Sequence, residues 1–140
     1  MTQDGIFNMS EGLKYSQIDE RTALTDKIKN AYSNVINEIG ISPGWAMTHY
    51  PAEDAIIVNI PLNGGSVAQY VMNTMTGAWC EFTDWDAYCF VVYDDELYYG
   101  NSSTATVHKA WTGTSDEGAE ITAYAQTAYN SFDEIGRAHV

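Results

Sequence analysis

The apolar positions of this chain change period once. From Ser16 to Gly40, Leu24, Ile28, Ala31, Tyr32, Val35 and Ile39 recur at steps of three and four residues, which places them on one face of a helix. The opposite face carries Asp26, Lys29, Asn30, Asn34 and Asn37 and is an ordinary solvated surface. Thr22 or Thr25 can cap the start, Gly40 suits the left-handed position that ends a helix, and Pro43 forbids continuation. The spacing therefore predicts one helix within 16–40, with one side buried.

From Trp45 onward short apolar runs alternate with turn signals, the pattern of antiparallel strands. The runs are Trp45–Tyr50, Ala55–Ile60, Ser66–Asn73 and Ala78–Phe82, separated by turns at 51–54, 62–65 and 74–77. The pattern then restarts with Ala87–Tyr93, Leu97–Gly100, Ala105–Trp111 and Ile121–Ser131. Two four-stranded groups are expected, at 45–82 and 87–131.

The groups also resemble each other. Val71-Met-Asn-Thr-Met-Thr-Gly77 and Val107-His-Lys-Ala-Trp-Thr-Gly113 share the form Val, four residues, Thr-Gly, and Tyr50 and Tyr93 each precede an acidic turn and an apolar strand. A repeat of about 40 residues built from four antiparallel strands is the signature of a β-propeller blade. Burial points the same way. Ile56-Ile-Val58 and Tyr88-Cys-Phe-Val-Val-Tyr93 are unbroken apolar runs, whereas a sheet with one wet face alternates apolar with polar. Both faces of those strands are expected to be covered, with Trp79, Phe82, Tyr88, Phe90, Val92 and Leu97 in the core. The fold class that follows is all-β: about two antiparallel four-stranded propeller-like blades with one inserted α-helix at 16–40. The 140 residues read as a single module (1–140) and, since two blades do not close a ring, as a piece of a larger protein. Segment 4–7 reads as the outer strand of a preceding blade.

Composition narrows the function. The chain has 19 acidic residues against 6 Lys and Arg, a formal net charge of −13, which repels a nucleic-acid backbone and favours solubility. No nucleic-acid or membrane partner is expected; no signal peptide or bilayer-length apolar run is present. Cys80 and Cys89 fit either a disulfide across a turn or, more commonly, free thiols in a core. His49, His108 and His139 are scattered singly, without zinc spacing.

Each candidate chemistry has a plainer explanation. The acidic turns Glu53-Asp54 and Asp94-Asp-Glu96 offer hard oxygen ligands but match no calcium-loop spacing, and turn residues are commonly acidic. Thr112-Gly-Thr-Ser-Asp-Glu-Gly118 lacks the lysine of a phosphate loop and precedes a strand. No nucleophile-elbow or Cys–His arrangement is present. A glycosidase needs two carboxylates across a cleft, and nothing singles out a pair. Trp79, Trp85, Tyr98, Tyr99 and Trp111 could form a sugar-stacking platform, although large aromatics at strand spacing more often pack sheet on sheet. No catalytic, cofactor-binding or metal-binding residues are assigned, and no cofactor is expected.

The stretches from Tyr70 to Trp85, Cys89 to Gly100, 112–118 and 121–137 together resemble the β-propeller part of tail proteins from short-tailed bacteriophages. The nearest group is the tail hub or nozzle proteins, loosely including those described as packaged-DNA stabilising. The matching residues are turn and packing residues, over about the C-terminal two-thirds of the chain. The resemblance implies a non-enzymatic virion structural protein, made in the bacterial host cytoplasm and located in the tail, with other tail proteins and further copies of itself as partners. The runner-up is a carbohydrate-binding propeller module or a glycosidase-related fragment.

Overall fold

The computed structural model describes residues 5–10, 22–40, 42–83, 85–101, 103–116 and 118–120. Among them the chain is mostly β, in two main antiparallel sheets with one α-helix. The first sheet contains β1 (Ala46–Tyr50), β2 (Ala55–Pro61), β3 (Val67–Asn73) and β4 (Trp79–Phe82), in sequence order. The second contains β5 (Ala87–Tyr93), β6 (Glu96–Asn101) and β7 (Val107–Lys109). The expected fourth strand of that group, Ile121–Ser131, lies outside the described residues. A small hairpin, β8 (Ser115–Asp116) with β9 (Ala119–Glu120), occupies part of the stretch expected to be loop.

Helix α1 runs from Lys29 to Ile39, preceded by a single 3-10 turn at Asp26–Ile28. It is shorter than its apolar periodicity suggests because 23–25 is not helical. Thr25 is used differently from a cap: its buried Oγ1 accepts from the Ile6 N–H at 3.2 Å, and the Leu24 N–H donates to the Ile6 carbonyl at 2.8 Å. The N-terminal segment is thereby tied to the helix approach. Thr25→Val removes the acceptor and is expected to cost about 1–2 kcal/mol in a denaturant melt. At the other end the helix stops at Gly40 as expected, its N–H reaching the Ile36 carbonyl, but with φ 65° and ψ −139° the glycine takes an extended positive-φ conformation rather than the left-handed helical one.

The turns follow from their residues. Pro51 starts a 3-10 turn closed by Asp54 in the left-handed region. Asn73 Oδ1 accepts from the backbone N–H groups of Met75 and Thr76 and from the Thr76 hydroxyl, so one side chain organises the β3–β4 turn. Lys27 Nζ then donates to the Thr76 and Gly77 carbonyls at 3.4 and 3.0 Å, pinning that turn to the helix approach. Asp94 and Asp95 both have positive φ, 53° and 60°, as a two-residue β5–β6 hairpin requires. Their acidity therefore serves the turn.

The layers are α1, first sheet, second sheet. On one face of the first sheet Val58 and Ile60 pack with Tyr32 and Ile6, and half-buried Val35, Ile36, Ile39 and Trp45 close around them. On the other face Tyr50, Ala55, Ile57 and Val71 meet Ala87, Leu97 and Tyr99 of the second sheet. The β2 run is thus covered on both faces, and Ile57 and Val58 are essentially inaccessible. The β5 run is not. Leu97 is fully buried, and Phe82, Phe90 and Val92 are half-buried against the shared core, but Tyr88, Val91 and Tyr93 are exposed. Tyr88 is therefore corrected from core to surface; its hydroxyl donates to the Gly65 carbonyl at 2.9 Å. Trp79 is half-buried at the helix side, its Nε1 donating to the Leu24 carbonyl at 2.9 Å.

Candidate functional site

Two features between and beside the sheets carry polar chemistry. The first is a buried amide pair. Asn59 and Gln69 oppose each other in the β2–β3 register, and both are fully buried on the face toward the second sheet. Gln69 Nε2 donates to Asn59 Oδ1 at 2.9 Å and to the carbonyls of Trp85 and Ala87 at 3.1 and 3.3 Å. Asn59 Nδ2 donates to the Tyr88 carbonyl at 3.2 Å and lies 3.4 Å from that of Gly44. The carbonyls at 85–88 belong to the entry of β5, where the β5–β6 register slips between Ala87 and Cys89. These bonds fix where the second sheet lands on the first. Gln69 Oε1 is buried with no hydrogen-bond partner, so the clasp carries an energetic penalty as well as a gain.

The second feature is an open groove of about 280 Å³ beside β3 and β4, whose lining includes Glu53, Val71, Asn73, Trp79, Cys80 and Trp111. Trp111 has a φ of 54°, a left-handed conformation that bulky residues rarely adopt. It turns the indole back over the rim, with ring centroids 5.7 Å from Tyr50, 6.0 Å from Phe82 and 5.9 Å from Trp85. Backbone strain of about 1–3 kcal/mol is offset by that packing. One side of Trp111 remains exposed to the groove.

The five aromatics singled out in the sequence do not share one platform. Trp85 and Tyr99 lie against the core between the sheets, with ring centroids 5.1 Å apart. Trp79 packs on the helix side, and Tyr98, one residue from Tyr99 on β6, belongs to the opposite face. Only Trp79 and Trp111 line the groove together. Glu53 is the single carboxylate among the described lining residues. Among the described residues, no group of three His, Cys, Asp or Glu side chains is placed to hold a metal ion.

Cys80 and Cys89 are both free thiols, and both residues are exposed, which corrects the expectation of core thiols. The Cys80 sulfur nonetheless lies 3.6 Å from the Val71 carbonyl, and its partial desolvation raises the thiol pKa. Cys80 should therefore alkylate more slowly than free cysteine at pH near 8, since less thiolate is present. Timed iodoacetamide labelling with peptide mass mapping measures this; labelling of Cys80 as fast as free cysteine would contradict it.

Comparison of the chain with protein-family models, with curated proteins and with solved structures finds no match.

Proposed function

We propose that this chain is a structural, non-enzymatic module of a phage or prophage tail, in the hub, nozzle or head-to-tail region, built from about two propeller-like blades. The observation carrying this reading is the stacking of consecutive antiparallel sheets face to face, fixed by the Asn59–Gln69 clasp rather than arranged around a reactive cleft. Its buried polar groups hold backbone in place. The Tyr50/Tyr93 and Val71/Val107 likeness extends the stacking to a repeated unit, and the tail-protein resemblance supplies the setting. In that setting the partners are other virion proteins and further copies of the chain.

The charge of −13 fits a wall past which DNA must move, because each phosphate contact made by Lys or Arg would add affinity and slow passage. Of the described basic residues, Lys27 is occupied by the β3–β4 turn and Lys109 by Glu96 at 2.8 Å. No measurable affinity for duplex DNA is expected even at low salt, where attraction is least screened. An anisotropy titration giving micromolar or tighter binding would refute this.

A second reading, a carbohydrate-binding module, is favoured by the half-exposed Trp111 beside Trp79 and Glu53 in the groove. Titrating oligosaccharides against tryptophan emission and its quenching by iodide separates the two. The structural reading predicts no saturable change; protection of emission by a sugar would move the assignment to the groove.

A further inference from the structure

Asn63 is the one asparagine in the sequence that is followed by glycine. It sits at the exposed tip of the β2–β3 turn, before Gly64 and Gly65, which both have a φ of 86°. All three layers are tied together at this turn. The Leu62 N–H closes it on the Ser66 carbonyl at 2.8 Å. Asn63 Nδ2 donates to Glu38 Oε1 at 3.0 Å, joining the turn to the end of α1, and the Tyr88 hydroxyl bond to the Gly65 carbonyl joins it to β5. Glycine at 64 leaves its backbone nitrogen unshielded by a side chain, and nothing lies within 4 Å of the place where a Cβ would stand. Among the described residues no backbone carbonyl takes the Gly64 N–H.

We propose that Asn63 is a site of spontaneous deamidation, and that the new carboxylate, set against Glu38, releases the β2–β3 turn from the helix. The Gly64 backbone nitrogen gives up its proton and bonds to Asn63 Cγ. The Cγ–Nδ2 bond breaks, and the side-chain nitrogen leaves as ammonia with that proton. Water then opens the cyclic imide at either carbonyl, which yields aspartate or isoaspartate at position 63. Aspartate has no N–H to offer Glu38, so a hydrogen bond is replaced by two like charges facing each other. Isoaspartate adds a methylene to the main chain inside a closed turn, which displaces the Gly65 carbonyl from Tyr88. Both Asn63 and Glu38 are exposed, and surface pairs contribute little to global stability. The effect is therefore a local opening of the helix end rather than unfolding of the chain. Nothing in it depends on the tail assignment.

Incubating the full chain in mildly alkaline buffer and mapping its peptides by mass spectrometry, with isoaspartate resolved by chromatography, tests the site. Aspartate and isoaspartate should accumulate at position 63 before any other asparagine is altered. Asn63→Gln should stop this, since glutamine would have to close a larger ring. Hydrogen exchange reads the consequence, both on the aged wild-type chain and on Asn63→Asp, with circular dichroism confirming that each is folded. Amides in the last turn of α1, including Gly40, which bonds to the Ile36 carbonyl at 2.8 Å, should exchange several-fold faster. Adding Glu38→Gln to Asn63→Asp should restore slow exchange, because the new amide donates to the carboxylate at position 63. Raising the salt should narrow the difference by screening the two charges. An Asn63 that stays intact while other asparagines deamidate would overturn the proposal. So would helix-end exchange that Asn63→Asp leaves unchanged, or an acceleration that Glu38→Gln does not reverse.

Discussion

Replacing Leu97 with alanine is expected to lower the unfolding free energy by about 2–5 kcal/mol, while Val91→Ala, on the neighbouring strand and opposite face, changes it by under about 0.5 kcal/mol. Leu97 is fully buried in the core shared by the two sheets. Truncating it removes transfer free energy and leaves a cavity between β6 and the Ile57–Val71 surface, which is held by strand pairing and cannot collapse freely. Val91 pairs with Tyr98 on the outward face and loses little in a monomer. Urea melts at dilute, monomeric concentration measure both. Equal losses at the two positions would mean that both faces of the second sheet are covered within one chain.

Gln69→Leu is expected to cost about 2–4 kcal/mol despite putting an apolar side chain of similar size into an apolar layer. It removes the donor serving Asn59 Oδ1 and the carbonyls of Trp85 and Ala87, and a buried acceptor left unpaired costs about 1–3 kcal/mol. The offset is that Gln69 Oε1, already unpartnered, goes as well. Because the lost bonds bind the second sheet to the first, hydrogen exchange should accelerate more at β5 and β6 than at β2. A neutral or stabilising Gln69→Leu would show that the clasp does not dock the sheets.

Local physics made much of the architecture legible in the sequence. The turn at Pro51, the Asn-Gly-Gly stretch at 63–65 and the Thr-Gly at 76–77 each impose a backbone geometry that strands cannot continue, so β1, β2 and β3 end at or shortly before those residues. The helix was legible in its apolar stripe, but its start was not. Leu24 carries the right period and yet belongs to a segment bonded to Ile6, a tertiary contact that periodicity cannot register. The run Tyr88–Tyr93 misled because an unbroken apolar string does not by itself require cover on both faces: Tyr88, Val91 and Tyr93 are exposed. The amide clasp was visible as two polar residues interrupting the strongest strands, Asn59 after Ile56-Ile-Val58 and Gln69 among Val67, Ala68, Tyr70 and Val71. Such interruptions mark buried polar networks as well as wet faces, and only the register, which sets Asn59 opposite Gln69, separates the two. The groove beside Trp111 was not legible at all, since it depends on a positive φ at a tryptophan.

The proposed role makes the chain a stoichiometric structural part of a virion. Quantitative mass spectrometry of particles purified from bacteria carrying this gene tests it most directly. Peptides from this chain are expected in the purified particles, in whole-number ratio to other tail components and retained through density-gradient banding. A chain abundant in the lysate but absent from banded particles would contradict the account.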